Sequence, residues 1–467
     1  GVVKDNTGAE LSGATVSVKG SSNSVMTDAK GKFTIKANAK ATLVVSFVGF
    51  ESKEAVVGGQ TTVNFSLAPG TSALNDVVVT SLGISKKQKA LGYATSTISA
   101  EQITDAGTPN FATALYGKAP GVRIAATPGG ATSAVNINIR GINSITGKND
   151  PLIILDGIPI RNGEVRNNDY WSDQRLRGNG LLDLQTEDIE NISILKGASA
   201  AALYGSEGSS GVIMITTKKG SKGATRVNYS NSFDFSNIYR FVETQKVYGR
   251  GSYGVIDPTA TAYRGPKYAE GSNTQLYDNT GNFFQTGTTQ RHNLSVEGGQ
   301  KITYRFSAAY TDQLGVVPTT GMKQFQTKLT GSAEIARGVT VTNSFALTNS
   351  DITKAYRGAN GMYLSALGWP ANDDMRNYLN IDGTRRRLVS ADNSELDNPY
   401  FSLYKNQNKE RTLRMIENIS LSADIKPWLN VTGRFGVDTY TTFLNLLIHP
   451  ESGSGSSAVA AANECRS

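Results

Sequence analysis

From Thr225 onward the chain alternates apolar and polar residues with a period of two. In TYRFSAAY, Tyr304, Phe306, Ala308 and Tyr310 share one face, and Thr303, Arg305 and Ser307 share the other. RHNLSVEGG sets Leu294 and Val296 against Asn293, Ser295 and Glu297. QFQTKLTGSAEI sets Phe325, Leu329 and Ala333 against Gln324, Gln326, Lys328, Thr330 and Ser332. Successive residues of a strand point to opposite faces, so these stretches predict an antiparallel sheet with one apolar and one polar side. VTVTNSFALT, ENISLSADI and NVTGRFGVDTY continue the pattern, for about seven strands between residues 225 and 441.

The connections sharpen the expectation. Tight turns at 298–301, 336–338 and 426–428 alternate with long connections near 237–287, 312–322 and 350–409. Short turns on one side, long loops on the other and strands of about 9–11 residues are the pattern of a transmembrane β-barrel. A soluble sandwich gives little reason for very long loops at one end only. Plugged lumens belong to barrels of about 22 strands, so seven strands are expected to be part of a larger wall. An unclosed sheet has unpaired edges, and these residues alone are expected to aggregate.

The first half reads differently. Residues 1–69 carry ATVSVKG, GKFTIKA, TLVVSFVGF and TTVNFSLAPG between turn residues, which predicts a small Ig-like β-sandwich with Asp28 as a turn residue. Residues 70–85 form a linker holding the strand-like LNDVVVT. Residues 86–223 read as a compact α+β domain. Ser99 and Gln102 make a capping-box pattern opening a short helix. Asp156–Gly157 in PLIILDGIPI signals a hairpin, and ISILKG followed by ASAAALYG reads as strand, then one or two helical turns. The partial barrel occupies 224–449, and the tail 450–467 lacks strand alternation.

Composition narrows the chemistry. The net charge is +8, but the densest basic runs, SKKQK and TTKKG, are short, so no nucleic-acid partner is expected. Cys465 is the only cysteine, and His292 and His449 the only histidines. That excludes a disulfide framework and leaves no basis for a metal site, a catalytic triad or a cofactor. No stretch of eighteen apolar residues marks a membrane helix, a test to which barrels are blind. Gly1 opens no signal-peptide pattern, and a mature or truncated start is expected.

The order of these pieces, with LNDVVVTSLGISKKQKALGYATSTI, INIRGINSITGKNDPLIILDGIPI and DIENISILKGASAAALYGSEGSSGVIMITTKKG, resembles the SusC/RagA class of TonB-dependent outer-membrane transporters. Residues 1–69 resemble their carboxypeptidase-regulatory-like domain, named for its fold and implying no peptidase activity. The resemblance implies that Asp76, Val77, Val78, Val79 and Thr80 are the TonB box, which the periplasmic protein TonB, with its inner-membrane energising complex, engages by strand addition. It implies further a barrel in outer-membrane lipid, a plug at 86–223, a SusD-like surface lipoprotein as partner, and active import of oligosaccharides or peptides. The alternative is a non-transporting β-rich surface binding or adhesion protein.

Plug motifs have structural and functional readings. Arg140 and Gly141 either anchor the plug to the wall or serve a turn; Asp156 and Gly157 make a hairpin turn or touch substrate. Lys196, Gly197, Tyr204, Gly205 and Gly211 sit in a small-residue run that lacks the ending of a phosphate loop and suits close packing. Glu207 departs from the family, where a basic residue is common at this place. Tyr170, Trp171, Tyr363 and Trp369 are loop aromatics able to stack on sugars or peptides, though single exposed aromatics are also ordinary.

Overall fold

The computed structural model describes residues 1–18, 23–47, 50, 52–68, 77–79, 85–87, 95–104, 114–126, 135–141, 149–162, 180–257, 263–269, 273–355, 361–388, 397–452 and 462–466. Its contacts divide the chain into two units, 1–78 with 85–92, and 79–84 with 93–467.

In the first unit β1 (Val3–Asp5) runs parallel to β6 (Phe65–Leu67), while β2 (Thr15–Val18), β3 (Ser24–Met26), β4 (Thr42–Ser46) and β5 (Lys53–Val56) form a sheet ordered β3-β2-β4-β5. Alternation puts Val3, Phe65 and Leu67 of one sheet and Val16, Leu43 and Val45 of the other into a shared core, completed by Phe33. GKFTIKA, expected as a strand, makes no ladder: Lys32 forms a single bridge with Val2, and the Phe33 backbone exchanges bonds with Gly1. The short partner at Val2 ends the pairing after one residue, and the Phe33 side chain still reaches the core. Asp28 closes a turn as expected, accepting the N–H groups of Lys30 and Lys32 at 2.9 and 2.8 Å. The bond from the Lys32 N–H, then that from Lys30, holds its carboxyl below the usual range. Val77–Val79 (β7) pairs with Ser85–Lys87 (β8) as a two-stranded sheet.

The second unit holds two bodies of sheet. The inner one is five-stranded: β13 (Ile158–Ile160), β12 (Leu152–Leu155), β15 (Val212–Thr217), β14 (Ile189–Leu195) and β9 (Thr95–Ser99), in that order. Only β12 and β15 are parallel. Helix α1 (Ala100–Thr104) starts from the expected capping box, with the Ser99 N–H donating to Gln102 Oε1 at 3.3 Å. The hairpin of β10 (Val122–Ala126) and β11 (Val135–Ile139) lays Ile124, Ile137 and Ile139 into the same core as Ile98, Ile153, Ile192, Ile194, Ile213 and Ile215. Helix α2 (Ala198–Tyr204) follows β14, as the small-residue run predicts.

The outer body has eight strands in sequence order, all antiparallel: β16 (Gly223–Ser236), β19 (Gly287–Gly299), β20 (Ile302–Leu314), β21 (Gly321–Ala336), β22 (Val339–Thr353), β23 (Gln407–Lys426), β24 (Leu429–Leu447) and β25 (Ala462–Arg466). Two-residue turns fall at 300–301, 337–338 and 427–428, where the sequence signalled them. Three expectations need correction. The connection placed near 312–322 is a compact turn of residues 315–320, because the ladder of β20 and β21 continues to Leu314 and Gly321. The seven long strands run 13 to 20 residues, not 9–11, since paired hairpins extend beyond the length that crosses hydrocarbon. The tail does supply a strand, β25, because the open edge of β24 offers unpaired backbone groups to any extended segment.

This wall inverts the polarity of a soluble sheet. Arg291, Asn293 and Ser295 of β19, and Gln324, Gln326, Lys328 and Thr330 of β21, are buried on the side facing the inner sheet. Phe306, Tyr310, Phe325, Leu329, Leu413 and Phe435 are exposed on the other. Large apolar side chains exposed on one face of neighbouring strands suit contact with hydrocarbon. The described parts of the long connections 237–286 and 354–406 fold together. They carry a small hairpin of β17 (Gly251–Ser252) and β18 (Val255–Ile256), and helices α3 (Asn279–Phe283), α4 (Met362–Leu367) and α5 (Pro399–Lys405) around Phe283, Met362, Trp369, Met375, Tyr400 and Leu403.

Gly211 precedes β15 at φ +98°, and a Cβ there would lie 2.7 Å from Ile139 Cδ1. Gly211→Ala is therefore expected to destabilise the inner domain by about 1–3 kcal/mol, read as earlier thermal unfolding and faster proteolysis of residues 86–223.

Candidate functional site

The contact between the inner domain and the wall is built from one short segment and one turn. Residues 180–188 lead into β14 and present Asp183, Glu187 and Asp188 to cations on alternate inward positions of the wall. Arg291 meets Glu187 at 2.6 Å. Arg305 meets Asp188 at 3.0 Å and Glu297 at 3.0 Å, and Ser307 Oγ donates to the second Asp188 oxygen. Neutral bonds fill the gaps: Gln185 donates to Asn293 at 2.9 Å, and Gln324 to the Leu182 carbonyl at 3.1 Å.

Arg414 of β23 is the most committed of these cations. Its Nε and Nη2 donate to the two Asp438 oxygens at 2.9 and 2.7 Å, Nη1 to the Gly180 carbonyl at 2.7 Å and to Asp183 at 3.3 Å, and Nη2 also to the Arg161 carbonyl at 2.9 Å. Those bonds use all five guanidinium N–H groups. The Arg161 N–H in turn donates to Asp438 at 2.9 Å. Gly180 is glycine by space, since a Cβ there would collide with the Arg414 guanidinium. Burial pushes the Asp183 carboxyl up to about 6, against the pull of Arg414.

The Asp156–Gly157 turn is the second hold. Both residues have positive φ, +49° and +90°, the conformation of the two-residue hairpin turn that Asp-Gly favours. Asp156 accepts from the Thr217 N–H at 2.9 Å and its hydroxyl at 2.6 Å, and lies 3.6 Å from Lys328 of the wall. Asn418 of the wall donates to the Asp156 carbonyl at 3.3 Å. A Cβ on Gly157 would press within 3.1 Å of the Arg434 side chain.

Other expected residues lie elsewhere. Arg140, at φ +59°, rests its guanidinium against Gly197 within the inner domain, so that contact is internal to it and not with the wall. Gly141 follows at φ +93°. Lys196 donates to Ser96 Oγ and to the Pro120 carbonyl, both at 2.6 Å; burial, then the nearby Arg140, lowers its pKa. Gly197 and Gly205 bracket α2, and the Tyr204 hydroxyl donates to Met214 Sδ at 3.9 Å. Glu207 is exposed on the turn after α2. Trp369 is buried and donates from Nε1 to Asp373 at 3.1 Å, whereas Tyr363 is exposed and packs on Phe284. Val77–Val79 form β7, while Asp76, Thr80, Tyr170 and Trp171 lie outside the described residues. Sequence reasoning missed residues 180–188 and the inward Arg291, Arg305 and Arg414. The available signal was three acidic residues ahead of a buried strand, facing arginines at polar positions of the dyad pattern.

Two domain families match: the TonB-dependent Receptor Plug Domain over residues 87–212, and the CarboxypepD_reg-like domain over residues 1–79. The chain is 36% identical over 327 residues to the TonB-dependent receptor SusC of Bacteroides thetaiotaomicron, covering 70% of this chain and 31% of SusC. It is 31% identical to the TonB-dependent receptor P26 of Formosa agariphila, covering 68% of this chain and 31% of that receptor. The RagAB peptide importer in its open-open state has the same fold, at a TM-score of 0.59 and 18% identity, over 79% of this chain and 43% of that one. The fold and the matched domains define a TonB-dependent receptor architecture: regulatory-like domain, plug and β-wall. The chain belongs to the SusC/RagA family of TonB-dependent transporters. It spans about a third of the length of the curated relatives it matches.

Removing one member of a buried ion pair costs about 3–5 kcal/mol, because its partner is left uncompensated. Arg414→Met, which strands Asp183 and Asp438, is expected to detach segment 180–188, seen as accelerated hydrogen exchange there; adding Asp183→Asn restores part of the protection. The acid side has a definite sign. Asp183 holds its proton more tightly when folded, so its contribution is full below about pH 4 and is lost as pH rises through about 6. Protection of 180–188 should therefore fall between pH 4 and pH 7, and Asp183→Asn should flatten that dependence.

Proposed function

We propose that the protein to which this chain belongs imports oligosaccharides or peptides across the outer membrane, driven by TonB and assisted by a SusD-like surface lipoprotein. The observation that carries the reading is the inverted wall: its polar face is buried against the plug through Arg291, Arg305, Lys328 and Arg414, and its apolar face is exposed. A wall of that polarity is stable with hydrocarbon outside and a filled lumen inside. The TonB dependence in the name of SusC and the peptide import in that of RagAB support the reading; oligosaccharides enter through the family resemblance.

Asp76 to Thr80 are assigned as the TonB box. Their support is chemical: Val77–Val79 already form an extended strand with β8, and β-branched residues favour the backbone that strand addition needs. The next described strand, β9, is the edge of the inner sheet and among the described residues is bonded only to β14. Asp156 and Gly157 act as an anchoring turn in this reading, and Lys196, Gly197, Tyr204, Gly205 and Gly211 as internal packing of the plug.

Deletion of Asp76–Thr80 in the full-length protein should leave membrane insertion and substrate binding intact and abolish uptake. Uptake at the undiminished rate would sink the mechanism.

A further inference from the structure

Among the described residues, every long strand of the wall but one sends a charged side chain inward: Arg226 on β16, Arg291 on β19, Arg305 on β20, Lys328 on β21, Arg414 on β23 and Asp438 on β24. The exception is β22. Its inward positions from 340 to 350 are Thr340, Thr342, Ser344, Ala346, Thr348 and Ser350, all small and uncharged. The parity is fixed by contact with the plug: Thr348 Oγ1 donates to the Asp183 carbonyl at 3.0 Å, and Ala346 packs on the core of the inner sheet. At about 3.4 Å per residue the column runs for roughly 34 Å, and its neighbours β21 and β23 stand about 10 Å apart.

The plug meets this column loosely. A cavity of about 20 Å³ is lined by Leu155 and Ile158 of the plug and by Ser344 and Ala346 of the wall. A second, of about 30 Å³, is lined by Gln185, Gln326, Ala346 and Thr348. Leu155, Lys328, Ala346 and Ile416 border both, so the two belong to one seam along β22. Since one water needs about 10–15 Å³ of such space, the seam has room for a few hydroxyl-sized groups. Two buried side chains point to what it takes. Gln326 and Gln185 are 3% and 8% exposed, and Gln326 Nε2 and Gln185 Oε1 make no hydrogen bond among the described residues. An unpaired buried amide is costly, and groups that both donate and accept, hydroxyls or peptide units, satisfy a donor and an acceptor alike.

We propose that the inward column of β22 is the lane along which an imported chain passes the plug, its uncharged hydroxyls or backbone amides exchanging partners with the Thr, Ser and Gln side chains while the ion pairs on both flanks stay made. Opening the seam breaks the neutral Thr348 bond and the apolar contact at Ala346, and water or cargo replaces the lost bond. Opening the wall at Arg305 or Arg414 instead leaves buried charges uncompensated. The small side chains of β22 also leave the most space between flanking columns for a single extended chain. The proposal rests on the import reading.

The test uses the full-length protein in cells, with Cys465→Ser and any further cysteine replaced in the same way. Thr348→Cys lies in the lane, and Ser295→Cys lies at an equally buried inward position of β19. A water-soluble maleimide is added from outside with one of two probes, a hydrolysate of neutral polysaccharide or a digest of soluble protein. With TonB active and a transported probe present, Thr348→Cys should label about tenfold faster than in cells lacking TonB, in proportion to how often the seam is open, and Ser295→Cys should not change. The probe that triggers labelling tells whether sugar hydroxyls or peptide amides occupy the lane. Ala346→Phe should insert normally and slow uptake of that probe about tenfold, while Ala346→Ser keeps it; if Ala346→Phe does not insert, the two cysteines decide. Uptake with both cysteines labelled alike, uptake with neither labelled, or uptake unchanged by Ala346→Phe would each overturn the lane alone. TonB-dependent uptake of neither probe would overturn the import reading, and the lane with it.

Discussion

The constraint on which this structure depends is the burial of charge on the inner face of the wall. Each inward cation is expensive out of water unless a carboxylate and further bonds meet it. Residues 180–188 and Asp156 supply those groups, so the plug is the counter-charge of the wall as much as its filling. The match has a geometric consequence. Strand residues two apart share a face, so a one-residue slip would turn Arg305 and Arg414 outward and strand Asp188 and Asp183. Buried pairs of this kind contribute little net stability; here their effect is to set where the plug sits against the strands.

Much of the fold was legible because the two strongest local signals were present. Period-two alternation gave the seven long strands, and the Gly, Pro and Lys turns at 300–301, 337–338 and 427–428 ended them. Asp156–Gly157 gave its hairpin by the same route, since both positions need the left-handed region that Asp and Gly tolerate. GKFTIKA failed as a strand although it alternates, because a ladder needs a partner as well as a pattern, and only Val2 and Gly1 meet it. The turn at 315–320 contains Pro318 and lies between good strand formers, and polarity alone made it look longer than it is.

The site was less legible because it depends on contacts across large separations. Arg414 and Asp183 are 231 residues apart, and nothing near either announces the other. Arg140 illustrates the converse: a basic residue in a recognisable motif suggested an anchor, yet its guanidinium lies on Gly197, whose missing side chain makes room for it. That contact lies inside the plug, while the charges that meet the wall stand in a segment without a signature.

Those two placements bear on how a pull could act. The ion pairs gather around Asp156, Arg161 and residues 180–188, near the end of the inner sheet where Ile189 pairs with Thr217. β9 begins at the opposite end, where Thr95 pairs with Leu195. Tension on the tether therefore meets the single ladder of β9 and β14 before any buried ion pair. The ladder exchanges its bonds with water at small net cost, about 0.5–1.5 kcal/mol for each. Parting Asp183 from Arg414 instead leaves charges uncompensated in a dry interface. Under the proposed TonB-driven import, a sheet loaded at its edge and clamped at its far end would start to move in β9 while residues 180–188 hold to the wall.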